Sequence, residues 1–523
     1  MTACPANEVS AAWPVNLWQS FEATASSRTC GAALLLSDTV ITFGQLHAEA
    51  EQAAFWLAGL GLRRGDVVAL QLSKQRSAYA LWLACLRQGC PYVFLDPRNP
   101  ESRTASILAT LRPALLVGEA AVANPFGHAV ALEAETDARP WTIGTTRRPD
   151  VPAAGLTGLD PAYVMFTSGS TGEPKGAVIS HQGVLSLMRW AKTMFHDHQP
   201  VCFSNLNPLH FDNSVFDLYG GLLNGAALVP VETGRMPNPA QWVRRLSEAE
   251  ASVIFAVPTL FQTLDRLKLL KPDRLPGARH FVFGGEGFPS AGLAAFHARF
   301  KDQARLVNVY GPTETSCICS SIVIDEDSLA AAGTGFPSIG RMHDDFSHAV
   351  LDHEGTAVGP GMPGELWIGG PNVGLGYFAN DEETARRFVQ DPRQSRWRSV
   401  WYRSGDLVRE DADGLLWFVG RVDNQVKIRG HRIELEEVDL VVEAFRGVTR
   451  ANTVAVAGTD GPELRCAYVA QSTIDAVALL HHCRERLPGY MLPSSLHQLE
   501  SLPTNQNGKV DRKAVAKLIG GAS

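Results

Sequence analysis

The chain has 523 residues, of which 45% are hydrophobic and 19% are charged, and its formal net charge is −7. This length exceeds what one hydrophobic core normally supports, so two or more lobes are expected. The acidic balance is not that of a nucleic-acid-binding domain, and no Lys/Arg-rich block suits a membrane surface. Neither a nucleic acid nor a membrane is therefore an expected partner.

The cysteines and the N-terminal segment indicate the compartment. Nine cysteines are scattered without a CxxC pair, and the odd number favours a reducing cytoplasm. The opening segment, MTACPANEVSAAWP, lacks the basic and apolar parts of a signal peptide. Cys317 and Cys319, and the run from His481 to Cys483, have no second ligand pair at zinc-like spacing, which argues against zinc.

The first part of the chain alternates helical and strand-length patterns. Helical patterns cover residues 42–60 and 76–88. Short apolar runs bounded by turns cover residues 67–72, 92–96, 252–257 and 280–285. This alternation predicts βαβ units and largely parallel sheets.

The pattern changes from about residue 355 to residue 419. GPGMPGELWIGG (359–370) and DADGLLWFVG (411–420) predict hairpin-forming strands. A shorter tail from about residue 424 alternates strands and helices again. The charged, glycine-bracketed segment GRVDNQVKIRG (420–430) is predicted to connect the two parts.

The segment YVMFTSGSTGEPKG (163–176) leads from an apolar run into glycines, hydroxyls and one lysine. Glycines allow positive φ and close approach of the backbone to a ligand, and successive backbone N–H groups in such a turn form an anion-binding concavity. The glycines, hydroxyl residues and lysine that suit a polyphosphate are Gly169, Gly172 and Gly176, then Thr167, Ser168, Ser170 and Thr171, and Lys175.

Glycine-rich segments of this kind have two other interpretations. A Walker A loop needs its lysine at a helix start, which Pro174 and Gly176 exclude on either side of Lys175. A flexible surface turn is the alternative that composition alone leaves open. The run GPGMPG (359–364) satisfies GxGxxG, but its two prolines predict a plain turn.

TSGSTGEPKG resembles the phosphate-loop signature of the ANL superfamily, which comprises acyl-CoA synthetases, luciferases and the adenylation domains of nonribosomal peptide synthesis. Further segments resemble that family's motifs in the same order: ITFGQL (41–46), GCPYVFLDP (89–97), NVYGPTE (308–314), GELWIGG (364–370), YRSGDL (402–407), GRVDNQVKIRGHRIEL (420–435), LPGYMLP (487–493) and NGKVDR (507–512). The resemblance therefore runs from about residue 41 to residue 512.

The resemblance implies an α/β fold of two parts. Residues 1–422 would form a large N-terminal lobe of stacked βαβ sheets plus a β-barrel, which binds ATP and the acid. Residues 423–523 would form a small mobile α+β C-terminal lobe, with its hinge at Asp423.

The reaction implied by the resemblance has two halves. A carboxylate attacks the α-phosphorus of ATP, giving an acyl-adenylate and pyrophosphate, and a thiol then takes the acyl group and releases AMP. Lys509 matches the family lysine that bridges the substrate carboxylate and the α-phosphate. Glu314 matches the glutamate that holds Mg²⁺, with Thr313 facing the phosphates.

The resemblance also implies how the nucleoside is bound. Asp406 matches the ribose-binding aspartate, and Arg421 is placed to assist it. The remaining expected nucleotide-binding residues, around the adenine and in NVYGPTE, are Gly285, Glu286, Asn308, Tyr310 and Gly311.

The stretch PLHFDNSVFDLYGG (208–221) carries the substrate prediction. Amino-acid-activating members of the family have an FDxS motif whose aspartate pairs with the substrate ammonium, and Asp212 matches it. A buried carboxylate is costly unless paired, so it implies a cationic substrate group. The alternative is that Asp212 caps a helix.

Motif registration predicts the other pocket residues: Asn213, Phe216, Phe255, Val282, Gly284, Val309, Cys317 and Ile318. Only Asn213 is strongly polar, so the pocket favours an aliphatic or otherwise uncharged side chain. Phe216 and Phe255 are expected to limit its depth, and Gly284 to leave room.

FDNSVFDLYG is also similar to the matching run in D-alanine–carrier protein ligases and in stand-alone ligases for β-amino acids, so an α- and a β-amino acid both remain open. The sequence stops soon after NGKVDR without a carrier-protein serine motif. This favours a free-standing ligase that loads a separate phosphopantetheinyl carrier protein in natural-product biosynthesis.

Three alternative functions are also considered. An acid–CoA ligase would use free CoA, but no basic cluster suits the CoA 3′-phosphate. A luciferase-like oxygenase fits poorly with a polar Asp212 pocket. A catalytically silent homologue fits poorly with the presence of Lys509, Glu314 and Asp406.

Overall fold

The structure is a computed structural model that describes residues 14–119, 123–132, 155–169, 171–197, 200–232, 236–458, 461–504 and 510–520. The chain divides into two compact units. The first comprises Met1–Leu95, Arg112–Met165 and Ala177–Gly420, and the second comprises Asp96–Leu111, Phe166–Gly176 and Arg421–Ser523. Each unit is described by itself.

The described α-helices, in chain order, are α1 (Leu17–Ser27), α2 (Phe43–Gly59), α3 (Arg76–Gln88), α4 (Glu101–Leu111), α5 (His181–Phe195), α6 (Asn213–Val215), α7 (Pro239–Glu248), α8 (Pro258–Arg266), α9 (Ser290–Phe300), α10 (Glu326–Ala332), α11 (Asp381–Arg387), α12 (Leu435–Glu443), α13 (Ala476–Arg484) and α14 (Arg512–Ile519). A π-helical turn, Phe216–Gly221, continues α6. None of the helices in the described ranges is both long and apolar enough to cross a lipid bilayer.

The described strands, in chain order, are β1 (Ala32–Leu35), β2 (Val40–Thr42), β3 (Val68–Gln71), β4 (Tyr92–Phe94), β5 (Leu115–Gly118), β6 (His128–Ala131), β7 (Pro161–Thr167), β8 (Lys175–Ser180), β9 (Cys202–Asn205), β10 (Ala227–Pro230), β11 (Val253–Ala256), β12 (His280–Gly284), β13 (Arg305–Tyr310), β14 (Ser320–Ile324), β15 (Arg341–Met342), β16 (Ser347–Leu351), β17 (Pro363–Gly369), β18 (Gly376–Tyr377), β19 (Phe388–Gln390), β20 (Val400–Glu410), β21 (Leu416–Arg421), β22 (Gln425–Ile428), β23 (His431–Glu434), β24 (Val448–Gly458), β25 (Gly461–Ala470) and β26 (Ser495–Gln498).

The two helices predicted from the sequence are α2 and α3. Thr42 caps α2 because its hydroxyl accepts the N–H of Gln45, whose side chain in turn accepts the N–H of Thr42. Helix α3 ends at Gly89, whose φ of 70° closes the C-terminus in the left-handed conformation. Local sequence signals therefore define both helices.

A nine-stranded sheet carries most of the candidate site. Its order is β15-β14-β13-β12-β11-β9-β10-β1-β2, and the strands from β1 to β13 along this path pair in parallel. The predicted strands at 252–257 and 280–285 are β11 and β12, both fully buried. Near-continuous apolar runs are typical of parallel strands covered on both faces. The prediction of a largely parallel sheet is confirmed here.

A second sheet has seven strands in the order β18-β8-β7-β4-β3-β5-β6. The predicted strands at 67–72 and 92–96 are β3 and β4, which pair in parallel. Its antiparallel edge pair joins Gly376 to Val178 and Tyr377 to Ala177. This pair brings Tyr377 to the edge of the sheet beside β8.

The segment predicted to form hairpins builds an open antiparallel sheet. Its order is β16-β17-β20-β19, and β21 pairs with β20 off this path. Among the described residues no pairing joins β16 to β19, so the predicted β-barrel does not close. Strand β20 is the branch point of this sheet, with β17, β19 and β21 as neighbours along its length.

The second unit has its own core around the sheet β24-β25-β26 and the hairpin β22–β23. Its largest cluster of buried apolar residues includes Ile433, Val438, Leu464, Leu479 and Met491. Strands alternate with the helices α12, α13 and α14 along this part of the chain. The predicted alternation after residue 424 is therefore present.

Candidate active site

Asp212 is held by a hydroxyl from another part of the first unit. The Thr313 Oγ1 donates a hydrogen bond of 2.5 Å to Asp212 Oδ2, across 101 positions of sequence. Asp212 directly precedes α6, yet its side chain makes no capping hydrogen bond to that helix. The alternative that Asp212 serves as a helix cap is therefore wrong. Its half-buried carboxylate is instead tied to the residue that the resemblance places beside the phosphates.

Glu314 is fully buried and is fixed through both its side chain and its backbone. The Tyr377 hydroxyl donates to Glu314 Oε1 over 2.7 Å. The Gly374 N–H donates to the Glu314 carbonyl oxygen over 2.8 Å. A single oriented carboxylate fits Mg²⁺, which takes its other ligands from phosphate oxygens and water. Glu314 is thus suited to the metal-binding role that the sequence predicts for it.

Tyr310 and Asp406, predicted at the adenine and the ribose, are brought into contact. The Tyr310 hydroxyl donates to Asp406 Oδ2 over 2.5 Å. Ser404 orients this aspartate, because its Oγ accepts the Asp406 N–H at 3.0 Å while donating to the Leu366 carbonyl at 2.6 Å. Two distant motifs, NVYGPTE and YRSGDL, therefore meet at one point of the first unit.

The other predicted nucleoside residues lie at the ends of β12 and β13. The Glu286 carboxylate accepts the Thr259 N–H at the first turn of α8 over 2.7 Å. The Asn308 side-chain amide donates to the Ser338 carbonyl over 2.8 Å. This hydrogen bond ties Asn308 to the loop that contains Ser338, a contact that the sequence did not predict. Gly285 directly follows β12, and Gly311 directly follows β13.

The predicted pocket residues share one buried cluster of the first unit: Phe216, Phe255, Val282, Val309, Cys317 and Ile318. The rings of Phe216 and Phe255 meet edge to face with centroids 5.2 Å apart. Asn213 lies beside Gly285, since a Cβ built on that glycine would lie 3.8 Å from the Asn213 side-chain nitrogen. The six predicted pocket residues in this cluster carry apolar or thiol side chains and are all buried.

Gly284 does not leave room in the pocket, contrary to the prediction. A Cβ at Gly284 would lie 2.5 Å from the Val309 carbonyl oxygen and 2.7 Å from Val309 Cγ2. The neighbouring strand already fills that space, because β12 and β13 pair through Gly284 and Val309. Close strand approach is therefore the reason for glycine at this position.

Cys317 reaches the pocket through an unusual turn. Ser316 and Cys317 have φ values of 62° and 79°, a left-handed conformation that non-glycine residues rarely adopt. Burial raises the pKa of the Cys317 thiol well above its ordinary value, and the charges of Asp212 and Asp217 add to the rise. Such local strain is common at functional sites.

A buried polar network next to Phe255 was not predicted from the sequence. Both backbone groups of Phe255 are held: its N–H donates to Ser204 Oγ at 3.1 Å, and its carbonyl accepts from Asn207 Nδ2 at 3.1 Å. Asn207 and Asn205 also donate to Asp217 Oδ2, at 3.2 and 3.1 Å. Burial raises the pKa of Asp217. The repeated aspartate in FDNSVFD is the one signal that pointed toward this network.

The glycine- and hydroxyl-rich loop belongs to the second unit, where it contacts acidic side chains. The Gly169 N–H donates to Glu437 Oε2 at 3.2 Å, and the Lys175 Nζ lies 3.9 Å from Glu434 Oε1. Ser168 Oγ accepts the Glu434 N–H at 3.2 Å. The loop N–H and ammonium groups that contact carboxylates here have the chemistry to bind other oxyanions.

The loop glycines act in different ways. Gly172 has a φ of 85°, and its N–H donates to the Gly169 carbonyl at 3.0 Å to close the turn that includes Thr171. Gly169 is outside the left-handed region, but a Cβ there would lie 2.0 Å from the Glu173 carbonyl oxygen. Gly176 belongs to strand β8. Thr167 Oγ1 donates to the Lys175 carbonyl at 3.4 Å.

The last four predicted site residues are Arg421 and Asp423 in the connector, Lys509 in the C-terminal motif and Ser170 in the loop. Arg421 and Asp423 form a bidentate pair, with Nε to Oδ1 at 2.6 Å and Nη2 to Oδ2 at 2.8 Å. The connector thus contains an ion pair where the sequence predicts a ribose contact and a hinge. Ser170 and Lys509 lie outside the described residues.

Comparison with known proteins gives consistent relatives. The AMP-binding enzyme family matches residues 21–378. The dimodular nonribosomal peptide synthase of Bacillus subtilis (strain 168) is 31% identical over 515 residues, which are 95% of this chain and 21% of that protein. Tyrocidine synthase 1 of Brevibacillus parabrevis is 31% identical over 508 residues, which are 96% of this chain and 45% of that protein. The chain thus spans less than half the length of either relative.

Two solved structures share the fold over nearly the whole chain. PA1221, an NRPS protein containing adenylation and PCP domains, solved with a vinylsulfonamide inhibitor, matches with a TM-score of 0.81 and 25% identity over 96% of this chain and 84% of its own. IdnL1 matches with a TM-score of 0.79 and 31% identity over 94% of this chain and 98% of its own. The predicted α/β fold class is therefore confirmed, apart from the closed barrel.

Proposed function

Because this chain belongs to the AMP-binding enzymes of the ANL superfamily, we propose that it activates an uncharged amino acid as an aminoacyl-adenylate. The acyl group then passes to the phosphopantetheine thiol of a carrier protein. The single observation that carries this proposal is the 2.5 Å hydrogen bond from Thr313 to Asp212. It links a carboxylate able to bind an ammonium group to the predicted phosphate side of the site.

The distance between the two ends of a small amino acid suits this arrangement. An ammonium on Asp212 directs the carboxylate of the same molecule toward Thr313 and Glu314, since an amino acid spans only a few bonds. The half-buried Asp212 needs a cationic partner to offset its desolvation. A zwitterion supplies that partner, whereas a fatty or aryl acid does not.

The chemistry requires positive charge where two anions meet. A substrate carboxylate oxygen forms a bond to the α-phosphorus of ATP, and the bond from that phosphorus to pyrophosphate breaks. Lys509 is the residue proposed to stabilise the charge that develops in this step. Glu314 would hold Mg²⁺, which neutralises phosphate charge when bound.

The second step needs a thiol acceptor. The thiolate sulfur of phosphopantetheine attacks the acyl carbon, and AMP leaves with the electrons of the broken acyl–oxygen bond. The similarity to PA1221, which contains adenylation and PCP domains, supports a carrier protein as the acceptor. An acid–CoA ligase that uses free CoA is the alternative for the same step.

The apolar lining supports an uncharged, aliphatic side chain. Phe216 and Phe255 are both fully buried at the base of the predicted pocket. A charged substrate side chain would lose its hydration there, and apart from Asp212, which is assigned to the ammonium group, the predicted lining has no charged residue to offset that cost. Both α- and β-amino acids satisfy this requirement.

The test is pyrophosphate release measured over a panel of α- and β-amino acids with ATP. We expect release that depends on a small uncharged amino acid and is absent with fatty or aryl acids. A second assay supplies the preferred amino acid, radiolabelled, together with either holo carrier protein or free CoA. Labelled carrier supports the proposal, whereas exclusive labelling of CoA would replace it with the ligase alternative.

A further inference from the structure

One buried hydroxyl near the candidate pocket has no hydrogen-bond partner. Tyr163 lies in β7 with a side chain that is 0% exposed, and its hydroxyl oxygen contacts no donor or acceptor among the residues that the structure describes. Burying a hydroxyl without a partner costs free energy, so nearly all buried polar groups are paired. Without a partner in the free protein, this hydroxyl contributes no hydrogen bond to its stability.

The two tyrosines next to Tyr163 have hydrogen-bonded hydroxyls, as buried tyrosines usually do. Its ring lies 5.7 Å from that of Tyr92 and 6.4 Å from that of Tyr219. Those two hydroxyls share a hydrogen bond of 2.9 Å, and Tyr219 also accepts from Trp82 Nε1 at 2.9 Å. Three tyrosines thus meet in one cluster, and of their hydroxyls only that of Tyr163 has no hydrogen-bond partner among the described residues.

The position of Tyr163 relates it to the substrate pocket. Tyr219 belongs to the same π-helical turn as Phe216, one of the predicted pocket residues. Tyr163, Phe216 and Cys317 belong to one buried cluster. Burial raises the pKa of Tyr163, and Cys317 and Asp212 are among the charges that raise it further. The electrostatic surroundings of Tyr163 thus include two predicted pocket residues, Cys317 and Asp212.

We propose that the Tyr163 hydroxyl hydrogen-bonds a polar N–H or O–H group that the substrate carries beyond its α-carbon. This inference rests on the proposed amino acid activation and narrows its substrate class. A β-amino group and a side-chain hydroxyl share the required chemistry. An α-amino acid with a purely aliphatic side chain would leave the Tyr163 hydroxyl without a partner in the complex too.

A buried hydroxyl without a partner in the free enzyme can confer substrate specificity. A site that offers a buried hydrogen-bonding group rejects an analogue that lacks the matching group, because the protein atom stays unpaired. In the free enzyme the same unpaired hydroxyl lowers stability. Tyr163 therefore lowers the stability of the free protein in exchange for discrimination between substrates.

The experiment compares wild type, Tyr163→Phe and Tyr219→Phe in the pyrophosphate-release assay. Alanine and 2-aminobutyrate lack the polar group, serine carries a side-chain hydroxyl, and β-alanine and 3-aminobutyrate carry a β-amine. We expect wild type to favour either serine or the β-amino acids. The preferred substrate then shows whether the polar group is a side-chain hydroxyl or a β-amine. Tyr163→Phe should lower kcat/KM for that substrate about tenfold through KM, leaving the KM for ATP unchanged.

Stability separates this role from a structural one. Tyr163→Phe should unfold at a midpoint no lower than wild type, because the lost hydroxyl had no partner. Tyr219→Phe, the matched control, removes a hydroxyl with two partners, so it should lower the midpoint while leaving the order of substrate preference unchanged.

Two results would overturn the inference. The first is amino-acid-dependent release that Tyr163→Phe leaves unchanged for every substrate. The second is an equal loss for all substrates together with a lower midpoint, which indicates a structural role. Release that depends on no amino acid at all would instead overturn the proposed function itself.

Discussion

The carboxylates of the candidate site and those of the second unit are held by different donors. In the first unit, hydroxyl groups donate to the site carboxylates in the pairs Thr313–Asp212, Tyr377–Glu314 and Tyr310–Asp406. In the second unit, arginines pair with carboxylates as Arg103–Glu437, Arg421–Asp423 and Arg512–Asp439.

The proposed function gives a physical reason for this difference. A hydroxyl donor orients a carboxylate oxygen and leaves its negative charge in place. A guanidinium orients it as well, but also neutralises it with a bidentate or close ion pair. A group that must receive an ammonium or Mg²⁺ is better held by a neutral donor, because a resident cation would compete. A carboxylate that receives neither an ammonium nor Mg²⁺ has no such requirement.

The greatest loss of activity should come from removing Lys509, the cation of the proposed adenylation step. Lys509→Ala should lower adenylate formation about a hundredfold or more, since one preorganised charge is lost from the transition state. Pyrophosphate exchange measures this step. Lys513→Ala, which removes an exposed lysine of α14 four positions away, should leave it near wild type. Exchange retained in Lys509→Ala would end the assignment.

A somewhat smaller loss of activity is expected when the charge of Asp212 is removed and its hydrogen bond to Thr313 is kept. Asp212→Asn keeps an acceptor for the Thr313 hydroxyl but removes the charge that would bind the ammonium. We expect the KM for the amino acid to rise about thirtyfold, with little change in the KM for ATP. Thr313→Val is the matched variant that keeps the charge and loses the hydroxyl. An unchanged KM in Asp212→Asn would remove the basis for an amino acid substrate.

The contribution of Asp439, an arginine-paired carboxylate of the second unit, to folding stability should depend on pH. Burial outweighs Arg512 and raises the pKa of Asp439 to about 6, from 3.8. A folded-state pKa above the unfolded one makes protonation favour folding. This contribution is therefore complete below about pH 4 and is lost as pH rises through 6.

Lowering the pH from 7 to 5 should thus stabilise the region around Asp439 by about 1 kcal/mol. Hydrogen exchange of the Thr453 amide, which donates to Asp439, reports on it after correction for intrinsic exchange rates. Asp439→Asn should remove this pH dependence. Protection that falls between pH 7 and pH 5 in wild type would show that the ion pair outweighs burial.

The smallest loss of activity is expected from removing the neutral hydroxyl that donates to Glu314. Tyr377→Phe removes the hydroxyl that donates to Glu314 and leaves the carboxylate charge intact. We expect about a threefold loss in kcat/KM for ATP, the scale of one neutral hydrogen bond. Titration of Mg²⁺ against the rate should show a parallel rise in the concentration needed. Tyr402→Phe, in a different buried tyrosine of the first unit, is the control.

The regular elements and the order of the motifs could be predicted without a structure. Helices α2 and α3 follow from local periodicity and caps, and the parallel strands β11 and β12 follow from short apolar runs between turns. The resemblance to the ANL superfamily follows from motifs that keep their order along the chain. These features depend on neighbouring residues, so the amino-acid sequence contains them in full.

Which side chains meet could be learned only from the folded chain. Thr313 reaches Asp212 across 101 positions and Tyr310 reaches Asp406 across 96. Val309 fills the space beside Gly284, and within the described ranges the barrel stays open and the Tyr163 hydroxyl has no hydrogen-bond partner. Each of these outcomes depends on sheet order and on the approach of segments far apart in the chain. Local periodicity and composition carry no information about such contacts, because they reflect only the residues nearby.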